Sequence, residues 1–233
     1  MANALDLIDD CIADLEAKLG LKPGQSFSKS KQGKEEKEKS KANKKKKCEK
    51  KCKSKPSNAV NEAQPDICKL EFKVGQITKV WVHPDADKLY CEEIDVGEDA
   101  PRQIASGLRP HFSEEEMLGQ RLLVVSNLKA KNLVGFKSHG MVLCAAEPKG
   151  DDGELVQFVE PPAEAKIGEV ISFEGLPVPK PLSASQVEKK KIFKLCTDGM
   201  KTSADCKAAW NGHVFMTSAG PCTTKTIANG VMR

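Results

Sequence analysis

The stretch "KLEFKVGQITKVWVHPDADKLYCEEIDVG", residues 69 to 97, decides how the chain folds. Leu70, Phe72, Val74, Val80 and Val82 recur at even spacing and so fall on one face of an extended strand. Gly75 inside that strand is the expected position of a bulge and a sharp bend. The run breaks at "HPDAD". Pro84 biases His83 toward extended backbone, and Asp85 and Asp87 carry side chains that accept from backbone N–H groups two residues on. Lys88 is read as the start of the next strand, "LYCEEIDV". The same histidine and two aspartates also raise the question of a metal or acid/base site. No calcium-loop continuation comes after them, and His83, His111, His139 and His213 form no ligand-spaced pair. A turn without metal is the expectation.

Downstream, "RQIAS", "RLLVVSNL", "GMVLCAA", "ELVQFVE" and "EVISF" are short β-type runs separated by turn residues. One segment, "SEEEML", is helical in pattern, with Ser113 as N-cap and Glu116 completing a capping box. Short strands interrupted by one short helix suit a small closed Greek-key barrel over residues 66–175 rather than a parallel sheet. The block 176–233 opens with "LPVPKPL" and shows one strand-like run, "GHVFMTS". It is poor in large apolar residues and is expected to pack on the barrel.

Upstream, Leu5, Ile8, Ile12, Leu15 and Leu19 alternate at spacings of three and four, the stripe of an amphipathic helix over residues 1–20. Asn3 is placed to cap it, and Gly20, Pro23 and Gly24 end it. The stripe either packs back on the main domain or docks on another protein, and docking is the expectation. Residues 21–65 are Lys, Ser, Gly, Gln and Glu with hardly a large apolar side chain, the composition of a disordered lysine-rich linker. Cys48 and Cys52 inside it have no second ligand pair to make a zinc site.

Charge is segregated along the chain. Lys29 to Lys55 holds 14 lysines against 4 glutamates, residues 68–175 carry 12 basic and 19 acidic groups, and 176–233 carry 9 and 3. A basic arm and a basic tail flank an acidic middle, so attraction for a polyanion has to come from the flanks and from local lysines. The nine cysteines, odd in number and often inside apolar runs, read as free core thiols in a reducing compartment. The sequence holds no nucleophile elbow, no phosphate-cradling glycine loop and no dinucleotide fingerprint. Cys144 beside His139 sits in the apolar run "MVLCAA" and reads as core. An enzyme is not expected, nor is a cofactor.

Several segments in order resemble one family: "HPDADKLY" (83–90), "EEIDVGE" (92–98), "RQIASGL" (102–108), "VVSNLKAK" (124–131), "SHGMVLCA" (138–145), "PPAEAKIGE" (161–169), "KKKI" (189–192) and "GPC" (220–222). They look like the tRNA-binding domain of the endothelial monocyte-activating polypeptide II type. That domain occurs in auxiliary proteins of multi-aminoacyl-tRNA synthetase complexes, in the Arc1-type cofactor, and at the end of some tyrosyl- and methionyl-tRNA synthetases. The resemblance implies a mainly β OB-fold barrel, with the C-terminal subdomain packed where shorter relatives place a second protomer, hence a monomer in this part. It implies a cytoplasmic tRNA-binding protein partnered with a synthetase through the N-terminal helix. By position it points to Ser106, Gly107, Asn127, Lys129, Ser138 and Met141 as nucleic-acid contacts. The local lysines Lys88, Lys131, Lys137, Lys189, Lys190 and Lys191 are expected to join them. Ala130 and Val134 stand where relatives often have Pro and Arg, and Lys131 and Lys137 supply the charge instead. With Tyr90 the only tyrosine, recognition of folded-RNA shape and backbone is expected over base stacking. A released cytokine-like fragment and a detached synthetase module are the alternatives the resemblance leaves open.

Overall fold

The computed structural model describes residues 64–149 and 153–233. The helix expected over 1–20, its docking stripe, and all but the end of the arm expected over 21–65 lie outside the described residues. After a 3₁₀ turn at Asp66–Lys69, β1 (Phe72–Val82) pairs antiparallel with β2 (Tyr90–Asp95), Val82 opposite Tyr90 and Gln76 opposite Asp95. The hairpin read from residues 69–97 is present, and its turn holds His83 rather than the aspartates at its centre. His83 is 3% exposed; its Nδ1 accepts the Asp85 N–H at 3.1 Å, and its own N–H donates to the Leu89 carbonyl at 3.1 Å. Asp85 and Asp87 face solvent. Lys88 lies in the turn, and strand pairing begins two residues later than expected, at Tyr90.

The single apolar face expected for β1 is in fact two. The register shifts between Ile77 and Lys79, not at Gly75, and one extra residue reverses which side each later side chain meets. Leu70, Phe72 and Val74 therefore join one core, whereas Ile77, Val80 and Val82 join another. Gly75 has a different reason to be glycine. A Cβ there would stand 2.9 Å from Ile94 Cγ2 and 3.1 Å from Val124 Cγ2, space that the second core already fills.

From β2 the chain continues into β3 (Arg102–Ser106), then α1 (Glu114–Met117) and β4 (Arg121–Val125). The capping box is formed as the sequence indicated: Ser113 Oγ accepts the Glu116 N–H at 3.3 Å, and Glu116 Oε2 accepts the Ser113 N–H at 2.8 Å. It starts a single turn that drives Met117, fully buried, into the barrel. A hairpin of β5 (Lys131–Leu133) and β6 (Phe136–Ser138) comes next, then β7 (Met141–Val142), β8 (Cys144–Pro148), β9 (Glu154–Phe158) and β10 (Ser172–Phe173). One sheet runs β3-β2-β1-β4-β7. This is the mainly β, OB-type barrel expected, with Ile77, Ile94, Ile104, Leu122, Val124 and Phe158 inside it.

The tail adds α2 (Ala184–Lys189), α3 (Ile192–Thr197), β11 (Met200–Thr202), β12 (Ala208–Trp210), β13 (His213–Thr217), β14 (Gly220–Pro221) and β15 (Val231–Met232). It does more than rest on the barrel. β15 pairs with β8 through Val231–Ala146 and Met232–Ala145, and β13 pairs with β10 through Phe215–Phe173, giving one sheet ordered β10-β13-β12-β11-β15-β8-β9. Phe72, Phe173 and Phe215 meet edge to face at centroid distances of 6.0, 5.1 and 4.9 Å, all nearly or fully buried. Leu122 and Val124 of β4 point into the barrel, while Leu123 and Val125 point into this second core. That double burial is why "RLLVV" reads as a continuous apolar run instead of alternating. Of the six described cysteines five are buried and none is bonded to another. Burial pushes the Cys196 and Cys222 thiols up to about 12, so they act as small apolar side chains.

Candidate nucleic-acid interface

β4 runs into the loop "SNLKAK", and Asn127 fixes the course of that loop. Its Oδ1 accepts the Glu71 N–H at 2.9 Å, and its Nδ2 donates to the Lys69 and Leu182 carbonyls, both at 3.0 Å. One buried amide thus joins three segments, including the start of the tail. Because Asn127 is tied down, Leu128 and Lys129 are held against α2 and α3. The two helices are joined by Lys191 in the left-handed region, φ 53°, a conformation unfavourable for a residue with a Cβ.

Between these elements lies a cleft of about 240 Å³. Leu128, Met141, Val187 and Phe193 make its apolar lining, and Lys129, Lys131, Lys191 and Lys194 surround it with Glu188. Lys129 Nζ lies 2.7 Å from Glu188 Oε2, both side chains more than half exposed. Four ammonium groups around an apolar floor can hold phosphate oxygens at the rim and a nonpolar ligand face below. Four of the expected contacts, Lys129, Lys131, Met141 and Lys191, are brought together here. Lys194, Phe193 and Glu188 escape a reading of the sequence, because only the fold puts α2 and α3 opposite the loop after β4.

The other expected residues divide. Ser138 and Asn127 are buried and their polar groups are occupied: Ser138 Oγ accepts the Ala105 N–H and donates to the Gly140 carbonyl, both at 3.1 Å. In the fold both hold backbone in place. Lys189 and Lys190 are exposed at the end of α2, outside the cleft lining. Lys88 and Lys137 are exposed elsewhere, in the β1–β2 turn and on β6. The β5–β6 hairpin turns through Val134 and Gly135, at φ 48° and 87°, and rests on the β1–β2 hairpin by Phe136 against Trp81 and His83 at 6.0 and 6.3 Å.

Ser106 and Gly107 line a second cavity, about 260 Å³, at the mouth of the barrel, and Met141 lines both cavities. Ser106 Oγ donates to Oε1 of Glu92, a glutamate 0% exposed on β2. Burial pushes the Glu92 carboxyl up to about 8, against the lowering effect of that hydrogen bond. Elsewhere on the surface, the Arg102 guanidinium hydrogen-bonded to Glu98, with Lys73 beside it, holds that carboxyl down at about 2. Among the described residues no group of three or more His, Cys, Asp or Glu side chains is placed to hold a metal. No helix among them is long and apolar enough to cross a membrane.

A curled barrel with a lysine-rimmed cleft is an architecture suited to polyanions. The family described as "Putative tRNA binding domain" matches residues 72–170. The C-terminal domain of Plasmodium vivax p43 superposes with a TM-score of 0.65 at 34% identity, covering 72% of this chain and 98% of that one. The chain belongs to this tRNA-binding-domain family. Among its relatives, a methionine–tRNA ligase of rice is 41% identical over 77% of the chain but only 22% of its own length. The mouse aminoacyl tRNA synthase complex-interacting multifunctional protein 1 is 36% identical over 73% of the chain and 54% of its own length. The chain therefore spans about half, or less, of these relatives.

Proposed function

We propose that the protein is a non-catalytic, cytoplasmic tRNA-binding cofactor that captures tRNA by shape and backbone contacts and delivers it to an aminoacyl-tRNA synthetase. The observation that carries this reading is the cleft, where lysines from two distant segments converge although residues 68–175 are net acidic. Such local convergence supplies the phosphate attraction that the overall field of the barrel does not. The synthetase is proposed to dock on Leu5, Ile8, Ile12, Leu15 and Leu19, and the lysine arm to add affinity without specificity. The tail core on the outer face of β1 and β4 supports a monomer in this part, since that apolar face is already covered.

The test is a salt titration of tRNA binding by full-length protein and by a variant with Lys129, Lys131, Lys191 and Lys194 changed to Ala. If each lysine meets one phosphate, the slope of log K against log [salt] should flatten by about 3 units. An unchanged slope in a folded variant would sink the cleft as the interface. Capture of a synthetase that survives Ile12→Asp with Leu15→Asp would refute the docking part alone. A second reading, a detached module of a methionyl- or tyrosyl-tRNA synthetase, is favoured by the 41% identity to the rice ligase. Capture of a synthetase that already carries its own copy of this domain would count against it.

A further inference from the structure

Glu92 stands on the inward face of β2 between Tyr90 and Ile94, in a core otherwise apolar. One carboxyl oxygen accepts from Ser106 Oγ, and the other, Oε2, is buried with no hydrogen-bond partner. A leucine at this position would avoid that desolvation cost, so the acid calls for an explanation beyond packing. At neutral pH the raised pKa keeps the carboxyl protonated, and it then offers one donor and one acceptor. Its partner Ser106 lines the cavity at the barrel mouth, with Leu108, Val142 and Val156 as apolar walls and Met141 as the boundary shared with the lysine cleft.

We infer that the barrel mouth is a base-reading pocket. An unpaired nucleobase of the bound RNA enters between Leu108, Val142 and Val156 and presents its hydrogen-bonding edge to Ser106, whose hydroxyl Glu92 orients from behind, while neighbouring phosphates lie in the lysine cleft across Met141. This rests on the RNA reading of the cleft and goes beyond it, because shape and backbone contacts alone need no such pocket. A base edge carries donors and acceptors that the Ser106 hydroxyl can complement, and the neutral acid behind it sets which way that hydroxyl points. An anion fits poorly, since Arg233 in the lining is already paired with Glu154 and the buried Glu92 carboxyl lies directly behind Ser106. The other groups around Glu92 are Cys91 beside it, Cys144 from β8, and Tyr90; His111 stands at the rim. Burial pushes both thiols up, so they are uncharged at neutral pH.

The probes are a short single-stranded RNA, the same RNA with one abasic site moved along it, and tRNA, each bound to full-length protein. One abasic position should lower affinity about 5- to 150-fold, the range for one stacked base, with little loss elsewhere. Glu92→Gln and Ser106→Ala should each remove the preference among bases at that position. Raising pH through 8 should erase the base-dependent part in the native protein and in His111→Ala, and should change nothing in Glu92→Gln, which already lacks it. Equal affinity at every abasic position would overturn the pocket, as would a base effect untouched by both variants, or tRNA binding with no binding of the single strand. Alanine at the cleft lysines should weaken intact and abasic RNA alike. If it weakens neither while the base effect remains, the cleft reading falls and the pocket stands.

Discussion

The two cores of this protein share walls and differ in character. β1, β4 and β8 each send side chains to both sides, so that Leu122 and Leu123, adjacent in sequence, never meet the same neighbours. The core under the tail is sealed by three phenylalanines in edge contact and, among the described residues, holds no buried carboxyl, and the buried threonines beside it, Thr202, Thr217 and Thr224, are hydrogen-bonded. The barrel core holds a buried acid and opens at Ser106 to a cavity. The contrast teaches that one side of the shared strands is built for stability, and the other gives up some stability for a buried acid behind the cavity wall. The tail makes this tolerable, because it buries the outer strand faces that would otherwise meet water.

The largest effect should come from damage to the sealed side. Phe215 is 0% exposed and touches both other rings, so Phe215→Ala should destabilise the protein by about 3–5 kcal/mol, read as a lower denaturation midpoint in urea. Because the cores share three strands, the transition should stay single with an unchanged slope. Two separate transitions would show that barrel and tail fold independently and would break the comparison.

A middle-sized effect of opposite sign is expected on the other side. The Glu92 pKa of about 8 lies above its unfolded value, near 4.5, so the folded state holds a proton that the unfolded state releases. Stability from this group therefore falls as pH rises from about 4.5 to 8 and is level beyond. Native protein should lose at most about 5 kcal/mol across that window relative to Glu92→Gln, which keeps an acceptor for Ser106 and cannot ionise. Parallel stability curves for the two proteins would mean that the carboxylate is ionised in the fold, and the barrel core would then hold a buried charge.

Much of this was legible. The hairpin at 69–97, the capping box at Ser113 and the barrel class arise from periodicity and turn chemistry, which act over a few residues. The crossing of β1 between cores was hidden, because the bulge between Ile77 and Lys79 depends on the partner strand and Gly75 was the louder local signal. Glu92 was within reach: with Tyr90 and Ile94 facing inward, the residue between them in the same phase faces inward too. The cleft was half legible. Lys129, Lys131 and Lys191 stand out in sequence, but Lys194, Phe193 and Glu188 join them only through the tertiary contact that Asn127 secures. That Asn127 and Ser138 are buried and hydrogen-bonded within the fold was hidden, because burial cannot be read from a polar residue in a loop.

The smallest effect on stability is expected at the cleft itself. Lys129 and Glu188 are 60% and 51% exposed, so their ion pair is screened by water, and Lys129→Ala should cost no more than about 0.5 kcal/mol. Binding should respond quite differently. Losing one phosphate contact should flatten the salt slope by about 0.7–0.9 for every RNA tested. Glu188→Gln works in the other direction: the carboxylate occupies Lys129 in the free protein, and an incoming phosphate has to displace it. Removing that competitor should tighten RNA binding about two- to fivefold at low salt, the range for one exposed pair, with the gain fading as salt rises. Weaker binding by Glu188→Gln would mean that Glu188 holds Lys129 in its productive place, and the ion pair would then be part of the interface rather than a rival to it.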